Sequence, residues 1–284
     1  MKKLDEFLKA NAKDELLSWD AHKKAMKVFR LGCRHVEEAA LALNILPARY
    51  KRNQKSITTA LQRKLFQSKS AVIGCGGLGG YIIEELARLG IGTIKAIDPD
   101  IFEEHNLNRQ ILCKVSDLGK PKAKVAKTRV KTVNPAVKII SLVKAFSREN
   151  GPELLEGMDV VVDALDSIPT RIELAECCAK LNIPLVHGTI GGWYGQITTQ
   201  FPGDNTIQII YQNCKDSKGL EIKLGNPSFT PAIIASLQVA EVCKLLTGQG
   251  TPLRKKMLFI NLLDMEVDQI EIGQTISCFL DLLL

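Results

Sequence analysis

The chain has 284 residues, 45% of them hydrophobic and 24% charged, which is typical of a soluble protein with one large α/β domain. Its net charge is +7, but the lysines are spread over several segments without interleaved aromatic residues, so nucleic-acid binding is not expected. No apolar stretch follows the first lysines as in an export signal, and no apolar run approaches the roughly 20 residues of a membrane span. These features predict a cytoplasmic protein that binds neither nucleic acid nor membranes.

The beginning of the chain predicts helices. Leu4 and Leu8 recur at helical spacing, and strong helix formers follow further on. Pro47 is expected to end this region, because the residue before a proline avoids the helical backbone conformation. We therefore predict an N-terminal helical segment over residues 1–48 and a single domain over residues 49–284.

Strands and helices alternate through the first half of the predicted domain. The predicted strands are short apolar runs, and the predicted helices carry apolar residues on one side. In chain order they are a helix over Thr59–Phe66, a strand over Ala71–Gly74, a helix over Gly79–Gly90, a strand over Thr93–Ile97, a helix over Lys120–Val133, strands over Lys138–Leu142 and Asp159–Asp163, a helix over Thr170–Leu181 and a strand over Pro184–His187. This alternation predicts an α/β fold with a doubly wound, Rossmann-like, mostly parallel sheet.

The pattern changes after Gly188. Gly195–Phe201 and Thr206–Tyr211 alternate apolar with polar residues, which predicts antiparallel strands. The remaining predicted elements are a loop over Asn213–Pro227, a long helix over Thr230–Thr247, a hairpin of Met257–Leu262 with Val267–Ile272, and an apolar tail over Ile276–Leu284 that packs on the body of the protein or on a partner.

A glycine-rich loop joins the strand over Ala71–Gly74 to its helix. Gly74, Gly76 and Gly79 fit the pattern G-x-G-x-x-G, and Gly77 lies among them. Such glycines let the chain turn tightly, and the backbone N–H groups at the helix start can then approach a phosphate.

Asp98 ends the next strand, where an acid can accept hydrogen bonds from ribose hydroxyls. The loop and this acid together predict nucleotide binding without distinguishing ATP from NAD. The alternative is a turn that serves only the packing of the helix on the sheet.

Further motifs accompany the loop in a fixed order. They are R-Y-K-R at Arg49–Arg52, GCGGLGG at Gly74–Gly80, D-P-D at Asp98–Asp100, N-L-N-R-Q at Asn106–Gln110, G-K-P-K-A at Gly119–Ala123, N-P at Asn134–Pro135 and D-A-L-D-S at Asp163–Ser167. With these motifs the chain resembles the ThiF/MoeB/HesA family, the prokaryotic relatives of ubiquitin-activating enzymes. The resemblance covers residues 49–272.

The resemblance implies an ATP-dependent adenylyltransferase. Such an enzyme joins the C-terminal glycine carboxylate of a ubiquitin-fold sulfur-carrier protein, ending in Gly-Gly, to AMP and releases pyrophosphate, in molybdopterin (or tungstopterin) or thiamine synthesis. It also implies a homodimer, because the family's arginine finger reaches into the neighbouring subunit's site. The implied site residues are Arg52 as the finger, Asp98 as the ribose ligand, Asn108, Arg109 and Lys122 as phosphate contacts, and Asp166 as the ligand of Mg²⁺. These residue types suit the reaction, because cations neutralise a carboxylate and a phosphate that otherwise repel each other.

The basic residues have plainer interpretations. Lys122 lies in a lysine-rich helix, and such lysines usually form a solvated face. Arg109 would form a surface ion pair of little energetic value with Asp117. The basic stretch around Arg52 would only aid solubility.

The acidic residues and the histidine after the apolar strands also have such interpretations. Asp163 and Asp166 would serve as caps where their strand ends. His187, at the end of an apolar strand, is expected to be a core histidine with satisfied hydrogen bonds. Acids at the carboxyl end of a parallel strand nevertheless lie where this architecture places its ligand sites.

The cysteines depart from the family pattern. Many relatives bind a structural zinc with two C-x-x-C pairs, whereas the eight cysteines here form no such pair, so we predict no zinc site. Cys214, in a polar loop beside Lys215, is a candidate catalytic thiol, because a neighbouring ammonium favours the thiolate; its alternative is a remnant of the zinc pattern. No rhodanese-like domain follows the final hairpin, so sulfur is expected from a separate donor protein.

Other functions fit part of the sequence. An NAD-dependent oxidoreductase would use the same glycine loop, but Asn108, Arg109 and Lys122 offer more polar and cationic groups than the pyrophosphate of a dinucleotide needs. A non-catalytic scaffold that binds a carrier would lack some nucleotide contacts, and none of the main ones is missing. An enzyme that adenylates a tRNA base would need a stronger basic patch.

Overall fold

The computed structural model describes residues 2–212, 214 and 224–273. Its N-terminal part contains three helices beside a pair of two-residue parallel strands. These elements are α1 (Lys2–Asn11), β1 (Leu16–Leu17), α2 (Trp19–Phe29), α3 (Cys33–Ala42) and β2 (Leu46–Pro47). Helices dominate this part, as the spacing of the apolar residues predicts, whereas the strand pair has no clear sequence signal. The domain boundary at residue 48 stays a prediction.

The N-terminal helices have a small apolar core of their own, and α3 joins them to the rest of the protein. Arg34 of α3 lies over the ring of Phe66, with its guanidinium carbon 4.7 Å from the ring centroid. Glu37 of the same helix is fully buried and accepts a 2.7 Å hydrogen bond from the hydroxyl of Tyr50. A cation on an aromatic ring and a buried polar pair therefore fix α3 against the segment that follows it.

The main sheet has eight strands. They are β3 (Lys69–Ile73), β4 (Thr93–Ile97), β5 (Lys138–Leu142), β6 (Val160–Asp163), β7 (Leu185–Gly191), β8 (Tyr194–Gln200), β9 (Lys256–Asn261) and β10 (Glu266–Glu271). Their order is β10-β9-β8-β7-β6-β3-β4-β5, with parallel pairing from β5 to β7 and antiparallel pairing from β7 to β10. The predicted Rossmann-like sheet with antiparallel C-terminal strands, including the final hairpin, is confirmed.

Helices cover both faces of this sheet. They are α4 (Thr59–Gln67), α5 (Gly77–Leu89), α6 (Lys122–Val133), α7 (Gly151–Leu155), α8 (Ile168–Lys180), α9 (Thr206–Tyr211) and α10 (Phe229–Thr247), and short 3₁₀ turns lie at Ala48–Asn53, Glu104–Asn106 and Val115–Asp117. Apolar residues of α4, α5, α6 and α10 form one core with the sheet, and those of α7, α8 and α9 form another. The sheet is therefore buried on both sides, which explains why its parallel strands read as continuous apolar runs.

One predicted strand is wrong. Thr206–Tyr211 forms helix α9, in which Ile207, Ile210 and Tyr211 are buried. Their i, i+3, i+4 spacing fits a helix, but the alternating pattern of the same six residues fits a strand equally well, so periodicity alone does not decide. The side-chain oxygen of Gln200 accepts a 2.9 Å hydrogen bond from the Ile207 N–H and so satisfies one donor of the first helical turn.

Smaller differences concern where elements begin and end. The helix after the glycine loop begins at Gly77 rather than Gly79, and the strand predicted to end at His187 continues to Gly191. Most of the predicted loop over residues 213–227 and the predicted apolar tail over residues 276–284 lie outside the described residues.

Helix α10 is the one helix among the described residues that is long and apolar enough to cross a membrane. Half of it is buried, and it packs against α5, β7 and β8. Its apolar composition is therefore explained by its place in the core between a helix and the sheet.

Candidate active site

A cleft opens at the carboxyl ends of the parallel strands. The chain winds from β3 through β4 to the edge strand β5, then returns to the other side of β3 and continues with β6 and β7. In open α/β sheets, ligands bind at the strand ends where the winding direction reverses. The cleft lies at that position, has a volume of about 390 Å³ and is lined by the glycine loop and by the turns after β4, β5 and β6. Its size suits a small-molecule ligand.

The glycines of the loop have two different roles. Gly74 has φ +98°, and a Cβ there would lie 2.4 Å from the backbone oxygen of Ala164. A Cβ on Gly79 would lie only 1.9 Å from the Gly74 oxygen, so these two glycines are required by the close packing of the turn. Gly76 and Gly77, where a Cβ would meet nothing closer than 3.5 Å, line the cleft at the start of α5. Of the four, Gly79 alone does not line the cleft, so its role is packing.

Asp98 connects the glycine loop to the end of β4. Its carboxylate accepts hydrogen bonds from the Cys75 N–H at 2.6 Å and from the Asp100 N–H at 2.8 Å. Burial raises the pKa of Asp98, and these two backbone donors oppose that effect. The side chain lines the cleft as predicted, and its bond to Cys75 also holds the loop in place. Its role as a ribose ligand stays a prediction.

Two predicted cations lie in the cleft, Arg109 and Lys122. The side chain of Lys122 is only 10% exposed, and its Nζ lies 3.0 Å from Oδ2 of Asp100. The interpretation of Lys122 as part of a solvated face is therefore wrong. Arg109 donates to the side-chain oxygen of its neighbour Asn108 at 2.8 Å, whereas Asp117 pairs with Lys120, so the predicted Arg109–Asp117 ion pair is also wrong.

Asn108 lies beside the cleft instead of lining it. Its side-chain amide donates a 3.0 Å hydrogen bond to the backbone oxygen of Asn226, and Asn226 itself lines the cleft. Asn108 thus links the Arg109 segment to a wall of the cleft that comes from a distant part of the chain.

The two acids of the motif D-A-L-D-S, at the end of β6 and just after it, are separated by the fold. Asp166 is exposed and lines the cleft, in the turn before α8. Asp163 is fully buried and bonds to the ring of His187 at 2.7 Å and to the Leu165 N–H at 2.9 Å. The N-cap position of α8 is Ser167, so neither acid caps this helix, although Asp163 accepts from a backbone N–H just after its own strand. His187 is a buried, hydrogen-bonded core histidine, as predicted.

Sequence reasoning missed several polar side chains of the cleft, among them Lys144, Gln110 and Arg171. Lys144, which follows β5, adds a further cation to the lining. Its only sequence signal is its position just after a strand that ends at the same edge as β3 and β4. Gln110 also lines the cleft, and its side-chain oxygen is buried without a hydrogen-bond partner among the described residues. A buried acceptor of this kind is satisfied when a ligand or water donates to it.

Two predicted catalytic residues are not in this cleft. Arg52 is exposed in the 3₁₀ turn Ala48–Asn53 and does not line it. Cys214 is partly buried against the core formed with α8 and α9, and it does not line the cleft either. One chain by itself therefore does not bring Arg52 to the site.

Within the described part of the chain, no three His, Cys, Asp or Glu side chains cluster as metal ligands would. The second zinc-binding pair of the family would fall at Leu220–Gly225, largely outside that part, so the predicted lack of zinc stays a prediction. For Mg²⁺, Asp166 offers one accessible carboxylate at the cleft. A single carboxylate fits this ion, because Mg²⁺ in nucleotide sites takes most of its ligands from phosphates and water.

A glycine loop at a helix start, several basic side chains and an acid at the carboxyl ends of parallel strands define a nucleotide-binding α/β enzyme. The ThiF family model matches residues 50–278, and the chain belongs to the ThiF family. The resemblance drawn from the motifs is confirmed. Membership favours adenylyl transfer over NAD-dependent oxidation and over a non-catalytic scaffold.

Curated relatives agree with this assignment. The chain is 33% identical over 219 residues to the SAMP-activating enzyme E1 of Haloferax volcanii, covering 76% of this chain and 81% of the relative. It is 30% identical over 225 residues to the sulfur carrier protein adenylyltransferase of Thermus thermophilus, covering 76% and 83%. The chain spans about half the length of the plant adenylyltransferase and sulfurtransferase relatives that it also matches. This protein is an ATP-dependent adenylyltransferase.

The fold has solved counterparts. The structure of MccB from E. coli with MccA-N7isoASN superposes with a TM-score of 0.68 at 21% identity, covering 89% of this chain and 83% of that one. This likeness confirms the architecture described above.

Proposed function

We propose that the cleft activates the C-terminal carboxylate of a ubiquitin-fold sulfur-carrier protein ending in Gly-Gly. The observation that carries this proposal is that Arg109, Lys122 and Lys144 line the same cleft as the glycine loop and Asp166. The named substrates of the relatives support the class of substrate. The pathway served, molybdopterin (or tungstopterin) or thiamine synthesis, is left open by these observations.

The reaction is an attack of a carboxylate oxygen on the α-phosphorus of ATP. A bond forms between that oxygen and phosphorus, the bond from phosphorus to the bridging oxygen breaks, and pyrophosphate leaves with the electron pair. The carboxylate is already ionised at neutral pH, so the chain needs no general base. Its task is to hold two anions together and to stabilise the charge that moves onto pyrophosphate.

The residues in the cleft divide this task. Gly76 and Gly77 leave room for a phosphate beside the N-terminal N–H groups of α5. Lys122 supplies a charge from a nearly buried position, and Arg109 supplies a planar fork of donors. Because both lie in a partly desolvated cleft, their charges act more strongly than on an open surface. When bound, Mg²⁺ at Asp166 would neutralise the phosphate oxygens further.

The proposal includes a homodimer in which Arg52 completes the neighbouring site. Arg52 is exposed and does not line the cleft of its own chain, as expected of a residue that acts in another subunit. Five large apolar side chains are exposed within one segment, which is more than a monomer's surface usually presents together. They are Ile101, Leu107, Ile111, Val115 and Leu118. We assign this segment to the subunit interface, and a mixture of Arg52→Ala and Asp166→Ala chains should regain activity that neither has alone.

Exchange of labelled pyrophosphate into ATP tests the proposed reaction. Exchange should require the carrier protein, and the same carrier without its terminal glycines should support none. Lys122→Ala should abolish exchange, whereas Lys124→Ala, an exposed lysine on the same helix, should not. Absence of exchange with every ubiquitin-fold carrier ending in Gly-Gly would sink the proposal.

Sulfur is then supplied by a separate donor protein in the cytoplasm. The proposed reaction is compatible with this, because it ends at an acyl adenylate that a sulfur nucleophile can attack. Among the described residues, Cys214 lies outside the cleft, so the adenylation step itself does not use it.

A further inference from the structure

Four buried polar side chains form a continuous network beside the cleft, and one of them, Arg171, also lines it. Asp163 ends β6, His187 belongs to β7, Arg171 to α8 and Tyr211 to α9, and all four are buried. Nδ1 of His187 lies 2.7 Å from Asp163 Oδ2, Nε2 of His187 lies 3.0 Å from the Tyr211 hydroxyl, and Arg171 Nη1 donates to that hydroxyl at 3.0 Å. The network thus joins four elements that are distant in sequence.

The donors and acceptors assign every proton in this network. Burial lowers the pKa of His187, so the ring is neutral at physiological pH. Nδ1 must carry the proton, because it faces a carboxylate, and Nε2 is then an acceptor. The hydroxyl of Tyr211 donates to Nε2 and accepts from Arg171, whose positive charge balances Asp163. Each group therefore has a partner of the right kind, in a buried site where an unpaired polar group would be costly.

The network holds the backbone on both sides of Leu165. Asp163 Oδ1 accepts from the Leu165 N–H at 2.9 Å, and Nε and Nη2 of Arg171 both donate to the Leu165 carbonyl oxygen. The next residue is Asp166, which lines the cleft and is exposed. Since an exposed side chain gains little order from its own surroundings, the direction of the Asp166 carboxylate is set by the peptide units before it.

We propose that Arg171, Tyr211 and His187 are positioning residues, which orient the turn carrying Asp166 and so make its carboxylate competent to bind Mg²⁺ with ATP. This inference rests on the proposed role of Asp166. Asp163 serves as the anchor of the network: it fixes one side of Leu165 directly and the other through His187, Tyr211 and Arg171. A network that only stabilised the fold would not need to hold both sides of this one residue.

The test is the magnesium enhancement of ATP binding, defined as the ratio of the Kd of ATP in EDTA to the Kd with Mg²⁺. Calorimetry on the full chain measures both values. Tyr211→Phe keeps the ring and removes the hydroxyl that connects His187 to Arg171. It should reduce the magnesium enhancement about fivefold and leave the Kd in EDTA unchanged. Arg171→Lys keeps the charge but loses the paired hydrogen bonds to the Leu165 carbonyl oxygen. It should reduce the magnesium enhancement further than Tyr211→Phe does.

Thr199→Val is the matched control. Thr199 is fully buried and donates a 2.7 Å hydrogen bond to Glu241, away from the cleft. It should lower the melting temperature as Tyr211→Phe does and leave the magnesium enhancement unchanged. If both variants change the enhancement equally, or if Tyr211→Phe and Arg171→Lys leave it unchanged, the positioning role is refuted.

Asp166→Asn separates this inference from the proposed function. Asp166→Asn should abolish the magnesium enhancement. If it does so while the Tyr211 and Arg171 variants keep the enhancement, the magnesium role of Asp166 is supported and the positioning role is refuted. If wild-type protein shows no enhancement, both fall together.

Discussion

Replacing Lys122 tests whether the cleft binds ATP, because loss of this charge should affect ATP binding much more than the stability of the fold. The change to consider is Lys122→Met, which keeps the length of the buried stem and removes the charge. The ion pair that it breaks joins a lysine side chain that is 10% exposed to Asp100, which is 63% exposed. With one partner in solvent, such a pair contributes at most about 1 kcal/mol, so the melting temperature should fall by no more than about 4 °C.

Lys122→Met should weaken ATP binding more than it lowers the stability of the fold. A charge-assisted hydrogen bond to a phosphate is worth about 1.5–3 kcal/mol, which corresponds to a weakening of about 10- to 150-fold in Kd. Titration calorimetry with ATP and Mg²⁺ measures this, and thermal denaturation measures stability on the same samples. Lys124→Met, an exposed neighbour on α6, should change neither quantity. The reasoning is refuted if Lys122→Met binds ATP within twofold of wild type, or if Lys124→Met loses the same affinity.

Other outcomes follow from the same structure. Gly79→Ala should lower the melting temperature by roughly 6–12 °C, because its Cβ would lie 1.9 Å from a backbone oxygen and such overpacking costs about 3 kcal/mol; an unchanged melting temperature would contradict the packing role. Burial lowers the pKa of His22 to about 4, so the unfolded chain takes up a proton first and stability is lost as pH falls from 6.5 towards 4. His22→Gln should flatten this acid slope in melting curves while His105→Gln, at an exposed site, keeps it; equal slopes would refute the assignment. Cys214→Ser should leave pyrophosphate exchange unchanged, and a loss of exchange would place Cys214 in the adenylation step. Metal analysis should find no zinc, and one zinc per chain would overturn that prediction.

The sequence does not distinguish the roles of the two acids at the end of β6. The motif D-A-L-D-S places two carboxylates at the end of one strand, and nothing in the local pattern says which one reaches a ligand. In the structure, Asp163 is the last strand residue and lies under the turn with His187, while Asp166 lies beyond it in the cleft. The difference depends on β7, α8 and α9, which surround Asp163 and come later in the chain.

Local pattern alone determined the glycine loop, the alternation of strands and helices, and the motifs of the family, because each depends on residues close together in the sequence. Tertiary packing decided that Lys122 is nearly buried, that Lys144 and Gln110 join the cleft, and that Thr206–Tyr211 is a helix. Short apolar runs and single charged residues are compatible with more than one environment. Their environment is set by elements that meet only when the sheet has formed, and therefore no local signal encodes it.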